Sequence, residues 1–488
     1  MKIEKVKLYG FIVLTLSFIC NVFVYFGNFS NDEVALKLII FLGFLNFVIQ
    51  IILIKKILKS YMNPLVLFTI FLYLFTAGQT LLFFFNLELG TYNLFERLSH
   101  DSIYLALIFH NISMIFFFAG IYFTANKQKT KIPFVGYSSS NLREIVFSVG
   151  ILLCLIGILP FLMTTYTNLS VFLNYGYKGY YQMDGVRVNN FVGGLSYYLY
   201  VGLLFMIISA NNTVLKRIIF IIIISIGFLR LGMGDRGDGF VLILTAFMLN
   251  SVTQDHVNNA KRSFMTIGLI ILLGFLVPII SAYRHGDLNI IYILLNENPL
   301  NSTLQNLGAT LFPLVKTMEL INSNTEIIKG YSYLAAFVFL IPSVFRIGFL
   351  GDIMNTNIYV SPAKWLMEIT GMSYGPGYTP FAEAYLNFGW FGSILFALFG
   401  VFIGLTLSNF NMYKQNKEFQ HILSIGISIL TFMFLAMAAR GSFNFMIAFY
   451  LRYVLFPVFL VLIWYSFETS REGRKKFSYE KEYTIRNK

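Results

Sequence analysis

Charge is what this sequence has least of. Only 12% of its 488 residues are Asp, Glu, Lys or Arg, against 57% hydrophobic, whereas a soluble chain of this length carries about a quarter charged residues. That shortage excludes an ordinary water-soluble globular protein. Cysteine is almost absent too: Cys20 and Cys154 are the two, both inside apolar runs, where a thiol behaves as a small hydrophobe. No metal-ligand spacing exists, so no metal site is expected, and the thiols decide neither disulfides nor redox compartment. No small-residue cleavage site follows the first apolar run, so the basic start "MKIEKVKLYGFIVLTLSFICNVFVYF" reads as a retained first span rather than a signal peptide. No internal repeat of the kind that marks many transporters is visible.

What is present is long apolar runs. A bilayer core of roughly 30 Å needs about 20 residues of helix at 1.5 Å per residue. Runs near 8–27, 34–54, 64–85, 103–124, 144–163, 192–210, 215–232, 239–251, 263–281, 388–409, 422–438 and 444–466 meet or approach that length. The expected fold is therefore all-α: a single polytopic membrane domain over 1–488 with about twelve transmembrane helices. An even number puts both termini on one side.

The net charge of +13 is explained by where it lies. One side collects the N-terminal lysines, Lys55, Lys56, Lys59, Lys127, Lys129, Lys131, Arg143, Lys216, Arg217, Lys261, Arg262, Lys414, Lys417 and a basic tail, residues 467–488. That side holds about 23 of the 36 basic residues but only about eight of the 23 acids. By the positive-inside rule it is cytoplasmic, both termini included. The excess is a topology signal, and no nucleic-acid partner is needed to explain it.

Two outer segments are conspicuous. Residues 164–191 contain "NYGYKGYYQMDGVRVNN", rich in tyrosine, and residues 282–387 form one long outer loop; loops of that length without a functional reason are uncommon. Within the second lies "GYSYLAAFVFLIPSVFRIGFLGD". If it crossed, every later segment would invert and Lys414, Lys417 and the tail would face outward. A re-entrant or interfacial helix broken at Pro342 is expected instead.

Three outward hairpin ends each carry arginine: Arg236 in "FLRLGMGDRGDGFV", Arg284 in "SAYRHGD" and Arg440 in "MAARGSFN". Taken singly, each reads equally as an arginine reaching headgroup phosphates. Together they suit a diphosphate, because the planar guanidinium holds two oxygens at once. Arg452 lies about eight residues into the last run, roughly 12 Å below its outer end, on one face with Asn444 and Ala448, and such a residue normally looks into the bundle or a wet cavity. The acids are less decided. Asp238 and Asp287 each read as a helix N-cap or as a reactive carboxylate; Glu383 follows Pro380 at a helix start, where the macrodipole favours an acid; His285 sits beside Arg284. "GMGDRG" matches a dinucleotide glycine fingerprint only formally, since its flanks are membrane helices rather than a βαβ unit, and "RGD" is a three-residue coincidence.

The outward "DRGDGFV" hairpin, the long outer loop, "GPGYTPFAEAYLNFGWFG" leading into a span and "AARGSFNFMIAFYLRY" together resemble the Wzy-type polymerases of bacterial surface polysaccharides. The likeness in order and placement runs from about residue 228 to 466; the N-terminal half is similar in hydropathy alone. The resemblance implies a multi-pass protein of the bacterial cytoplasmic (inner) membrane. It would join undecaprenyl-diphosphate-linked repeat units, as both donor and acceptor, into O-antigen or capsular polysaccharide at the outer face. A chain-length regulator is a further implied partner; no cofactor is expected. Position by position, Arg236, Arg284, Arg440 and Glu383 match functional positions of the family. The re-entrant segment departs from it, with Ser343 after Pro342 and the arginine at Arg346.

The chemistry expected is a metal-independent glycosyl transfer. Arg236, Arg284 and Arg440, with Arg452 and Arg346, would neutralise the departing diphosphate, and Glu383 first, then Asp238 or His285, would take the acceptor proton. Tyr175, Tyr177, Tyr180 and Tyr181 would stack on sugar faces, or form only an interface belt. Two rivals share much of this pattern: an O-antigen-type ligase passing glycan to another acceptor, and a flippase or transporter for the same lipid-linked sugars. A transporter is expected to line a mid-membrane path with charge, whereas here charge gathers at the outer ends of the spans.

Overall fold

The structure is a computed structural model describing residues 3–27, 33–58, 61, 63–90, 93–124, 139–182, 190–233, 235–253, 268, 279, 298–323, 325–341, 345–372, 377–408, 410 and 419–486. Every regular element among them is helical, in keeping with the all-α expectation. The chain runs through α1 (Ile3–Phe26), α2 (Glu33–Leu58), α3 (Pro64–Phe84), the single turn α4 (Leu94–Arg97), α5 (His100–Thr124), α6 (Ser139–Gln182), α7 (Asn190–Ser209), α8 (Thr213–Gly232) and α9 (Arg236–Thr253). Then come α10 (Pro299–Gly308), α11 (Leu311–Ser323), α12 (Tyr331–Val338), α13 (Phe349–Asn355), α14 (Asn357–Val360), α15 (Pro362–Thr370) and α16 (Pro380–Phe388). A 3-10 turn at Gly389–Ile394 leads into α17 (Leu395–Leu407), followed by α18 (Phe419–Leu435), α19 (Phe443–Tyr450) and α20 (Phe456–Arg486).

Eight helices among the described residues are long and apolar enough to cross a membrane, counting α16–α17 and α19–α20 each as one. Of the other expected spans, α9 and α18 contain shorter apolar stretches, Gly237–Asn250 and Ile422–Leu435. α8 carries Lys216, Arg217 and Arg230 within 20 residues, and 263–281 lies almost wholly outside the described residues. In a bilayer the helices gain little by burying leucine against one another, so contacts rest on polar pairs and small residues. Asn111 Nδ2 of α5 donates to Asn21 Oδ1 of α1 at 3.2 Å and to the Ile39 carbonyl of α2 at 3.1 Å, both buried.

Two stretches expected as outer segments have regular structure among the described residues. Residues 164–182 are helical, α6 continuing through them as one 44-residue helix, roughly 66 Å long, despite Pro160 within it. The described part of the 282–387 stretch is a string of short helices docked on the bundle. α10 lies on α3 so closely that a Cβ at Gly78 would stand 2.3 Å from the Leu304 carbonyl oxygen and 2.9 Å from the Gly308 nitrogen. Gln79 Nε2 donates to the Gln305 carbonyl at 3.1 Å there. α11 buries Leu311, Leu314, Val315 and Met318. At eight residues, roughly 12 Å, α12 is far too short to cross; Pro342, the expected break, lies outside the described residues.

Candidate active site

The α8–α9 hairpin is built from the charges of "FLRLGMGDRGDGFV". The last turn of α8 holds Arg230, only 6% exposed. An arginine there has to be paired: its Nε donates to the Tyr200 hydroxyl at 3.0 Å, and its Nη1 lies 3.6 Å from Asp235 Oδ2. Phe161 and Tyr200 offer their rings about the guanidinium, at 5.9 and 6.0 Å. Asp235 occupies the turn and acts as the N-terminal cap of α9. Its carbonyl accepts from Gly239 N at 3.2 Å, and its Oδ1 takes a long 3.5 Å contact from Asp238 N. Burial, and then the charge of Asp238, raise the Asp235 carboxyl above the usual carboxylate range, while Arg230 opposes them.

The capping alternative for Asp238 is therefore answered. The cap is Asp235, and Asp238 sits in the first turn of α9, its Oδ2 accepting from the Tyr197 hydroxyl at 3.0 Å. The other carboxylate oxygen has no hydrogen-bond donor among the described residues. Asp238, Tyr197 and Tyr200 form one side of a cleft of about 150 Å³ whose other side is Met433 and Phe434 of α18 with Gly441, Phe445, Met446 and Phe449. Gly441 belongs to the turn before α19; the preceding Arg440 is exposed, is not itself a lining residue, and its side chain runs beside Gly377. The Arg440 carbonyl accepts from Tyr378 N at 3.5 Å, which ties the arginine turn to the strand-like approach to α16.

Glu383 has a different setting. It is fully buried in α16, within the apolar stretch Pro380–Leu407 rather than ahead of it. Both its carboxylate oxygens are in use: Ser332 Oγ of α12 donates to Oε1 at 2.6 Å, and Phe443 N, the first amide of α19, donates to Oε2. Asn387 closes the network, its Nδ2 donating to Ser332 Oγ at 2.8 Å and to the Glu383 carbonyl at 2.7 Å. The Glu383 carboxyl thereby satisfies an amide at a helix N-terminus that has no partner within the helix. The "NFG" motif is thereby accounted for: Asn387 makes these bonds, and Gly389 breaks the helix with φ +57, a conformation that suits glycine.

The remaining expected residues do not all come together. Arg346 folds back on α12, donating from Nε to the Ile341 carbonyl at 2.7 Å and from Nη2 to the Phe339 carbonyl at 3.0 Å, as a cation does at a helix C-terminus. Arg452 lies in a π-helical turn, Leu451–Leu455, with its guanidinium 4.9 Å from the same Phe339 ring. It is exposed and opposite α12, away from the Asp238 cleft lining. The backbone of Arg236 opens α9, two residues before Asp238. Tyr175, Tyr177, Tyr180 and Tyr181 are on the distal part of α6. The side chains of these five, and of Asn444, lie outside the description; Arg284, His285 and Asp287 lie outside the described residues altogether. No group of three or more His, Cys, Asp or Glu side chains gathers as a metal site among the described residues.

Arg230, Tyr197 and Tyr200 escaped the sequence reading. The signals were an arginine inside an apolar run, which demands a partner, and "SYYLY" in another.

The sequence profile of the O-antigen polysaccharide polymerase Wzy family matches residues 9–470. The chain belongs to that family. The match takes in the N-terminal half, where the residues themselves gave only hydropathy. Protein CapE of Staphylococcus aureus is 25% identical over 264 residues, covering 52% of each chain, so this Wzy-family chain spans about half the length of the curated relative it matches. No solved structure matches it significantly.

Proposed function

We propose that this chain polymerises undecaprenyl-diphosphate-linked oligosaccharide repeat units at the outer face of the cytoplasmic membrane, as a glycosyltransferase with about twelve crossings, α12 lying as a re-entrant or interfacial element. The observation that carries the reading is a carboxylate, Asp238, held among the described residues by one hydrogen bond, from Tyr197, in a ring-sized cleft whose lining residue Gly441 directly follows Arg440. Asp238 accepts the proton of the acceptor hydroxyl; that oxygen attacks the anomeric carbon of the donor, and the bond from that carbon to the diphosphate breaks. Arg440, with Arg236 and Arg284, neutralises the charge left on the diphosphate, an effect strongest where water is scarce. A general base has to reach the hydroxyl it deprotonates, which favours Asp238 over the walled-in Glu383. Glu383 is a positioning residue that sets the Arg440 turn through the first amide of α19. Arg346, as a cap, belongs to the support of α12.

The test is Asp238→Asn and Arg440→Ala in the native cell. Both proteins are expected in the membrane at normal level, with long polysaccharide lost and single repeat units persisting on the carrier lipid. Normal chain-length ladders in both would refute the assignment. Purified protein given lipid-linked repeat units alone makes a ladder if it polymerises, whereas a ligase would require a second kind of acceptor.

A further inference from the structure

The cleft has two unlike sides. Its polar side chains come from α7 and α9, the Asp238 carboxylate and the hydroxyls of Tyr197 and Tyr200, with Val241 and Leu242 of α9 beside them. Two of these are partly committed, since Tyr197 donates its proton to Asp238 at 3.0 Å and Tyr200 accepts from Arg230 at 3.0 Å. The facing side, from α18 and α19, brings Met433, Phe434, Phe445 and Met446, side chains with no hydrogen-bonding group beyond a weak thioether. At about 150 Å³ the space matches a cavity that takes a single benzene-sized ring. A hydrocarbon lipid tail is a poor occupant, because it would press the Asp238 carboxylate against apolar matter without a partner.

We propose that this cleft is the subsite for the acceptor sugar and selects a deoxy pyranose, one carrying a methyl where a common hexose carries a hydroxymethyl, with that methyl against the Phe445–Met446 side. The inference rests on the polymerase reading and adds its substrate class. The attacking hydroxyl lies toward Asp238, where an acceptor for its proton exists. The substituent across the ring meets methionine and phenylalanine, where an extra hydroxyl would lose water and find nothing in return. An apolar pocket rejects an added hydroxyl by up to roughly 100-fold and no further, which sets the scale of the preference.

The experiment is binding to the purified full-length protein, by saturation-transfer NMR titration, of two pairs of methyl glycosides differing only at carbon 6: L-fucoside against L-galactoside, and L-rhamnoside against L-mannoside. The deoxy member of at least one pair is expected to bind about tenfold or more tightly. Met446→Gln, which offers the hydroxyl a partner, is expected to shrink that ratio at least threefold, and Asp238→Asn to weaken both members alike. Equal binding within both pairs, no binding by any of the four, or an unchanged ratio in Met446→Gln overturns the subsite. The polymerase reading falls separately, on normal ladders in both Asp238→Asn and Arg440→Ala cells, so the two failures are told apart.

Discussion

Replacing Glu383 separates a positioning role from proton transfer. Its carboxylate is fully buried, takes Ser332 Oγ at 2.6 Å on one oxygen and the Phe443 amide on the other, and has no opening to the Asp238 cleft lining. Glu383→Ala strands two donors, the Phe443 N–H and the Ser332 hydroxyl. At about 1–3 kcal/mol for each buried group left unsatisfied, the loss is roughly 2–6 kcal/mol, comparable with the whole stability of many domains. Glu383→Gln keeps an oxygen for Phe443 N and turns an amide toward Ser332 Oγ, whose oxygen already accepts from Asn387 at 2.8 Å and has a second lone pair. Only the Ser332 proton loses its acceptor, so the cost falls to about 1–3 kcal/mol. The expected result is that Glu383→Ala loses most of its monodisperse protein on size exclusion after detergent extraction and mild heating. Glu383→Gln keeps most of it, together with a full-length glycan ladder. A Glu383→Gln protein that is abundant and monodisperse yet makes no ladder would refute this reasoning and return the proton to Glu383.

Three other outcomes are expected. Tyr197→Phe leaves the fold intact but removes the one hydrogen bond that the Asp238 carboxylate accepts among the described residues, so turnover of lipid-linked units falls about tenfold or more with little change in KM; an unchanged rate contradicts the orienting role. Gly78→Ala places a methyl 2.3 Å from the Leu304 carbonyl oxygen and is expected to reduce folded protein sharply, whereas the same change at Gly193, with nothing within 4 Å, leaves the yield unchanged; equal yields contradict the close α3–α10 approach. Arg346→Ala removes two bonds to the end of α12 and costs about 1–3 kcal/mol, with long polysaccharide retained; loss of the ladder at normal protein level would assign Arg346 to phosphate instead.

Eight of the twelve expected spans are found among the described residues as helices long and apolar enough to cross, and they were legible because a crossing helix has to satisfy its backbone within itself over a sufficient apolar length. What a hydropathy reading does not see is helix that leaves the membrane. α6 runs on through residues 164–182 since nothing there, Pro160 excepted, forbids helix, and polarity alone made that stretch resemble a separate outer segment. The reverse happened at Pro380. Glu383 and Asn387 made α16 look extramembranous, yet the Glu383 carboxyl and the Asn387 amide N–H groups are engaged by Ser332, the Glu383 carbonyl and the first amide of α19, so the helix is buried with these polar side chains inside.

The site was legible in its residue types and not in their assignments. Three acids and a histidine compete in the sequence, with Glu383 placed first, because capping, bracing and proton transfer all begin with a carboxylate near a helix start. The structure separates three acids by what surrounds each. Asp235 caps α9 and pairs with Arg230; Glu383 braces α19 with both oxygens engaged; Asp238, three residues beyond the cap, keeps one oxygen without a donor among the described residues and faces the cleft with Tyr197. Arg230 is the link that a sequence reading passes over, since an arginine near the end of a span reads as snorkelling. Here it points inward, at 6% exposure, and joins Tyr200 to Asp235, so the α7 wall of the cleft and the turn preceding Asp238 are held as one unit. Cutting that link with Arg230→Met, which is apolar and of similar length, would leave Asp235 unpaired but still capping. Asp238 activity would then fall without loss of the cap, a pattern that a purely snorkelling arginine does not produce.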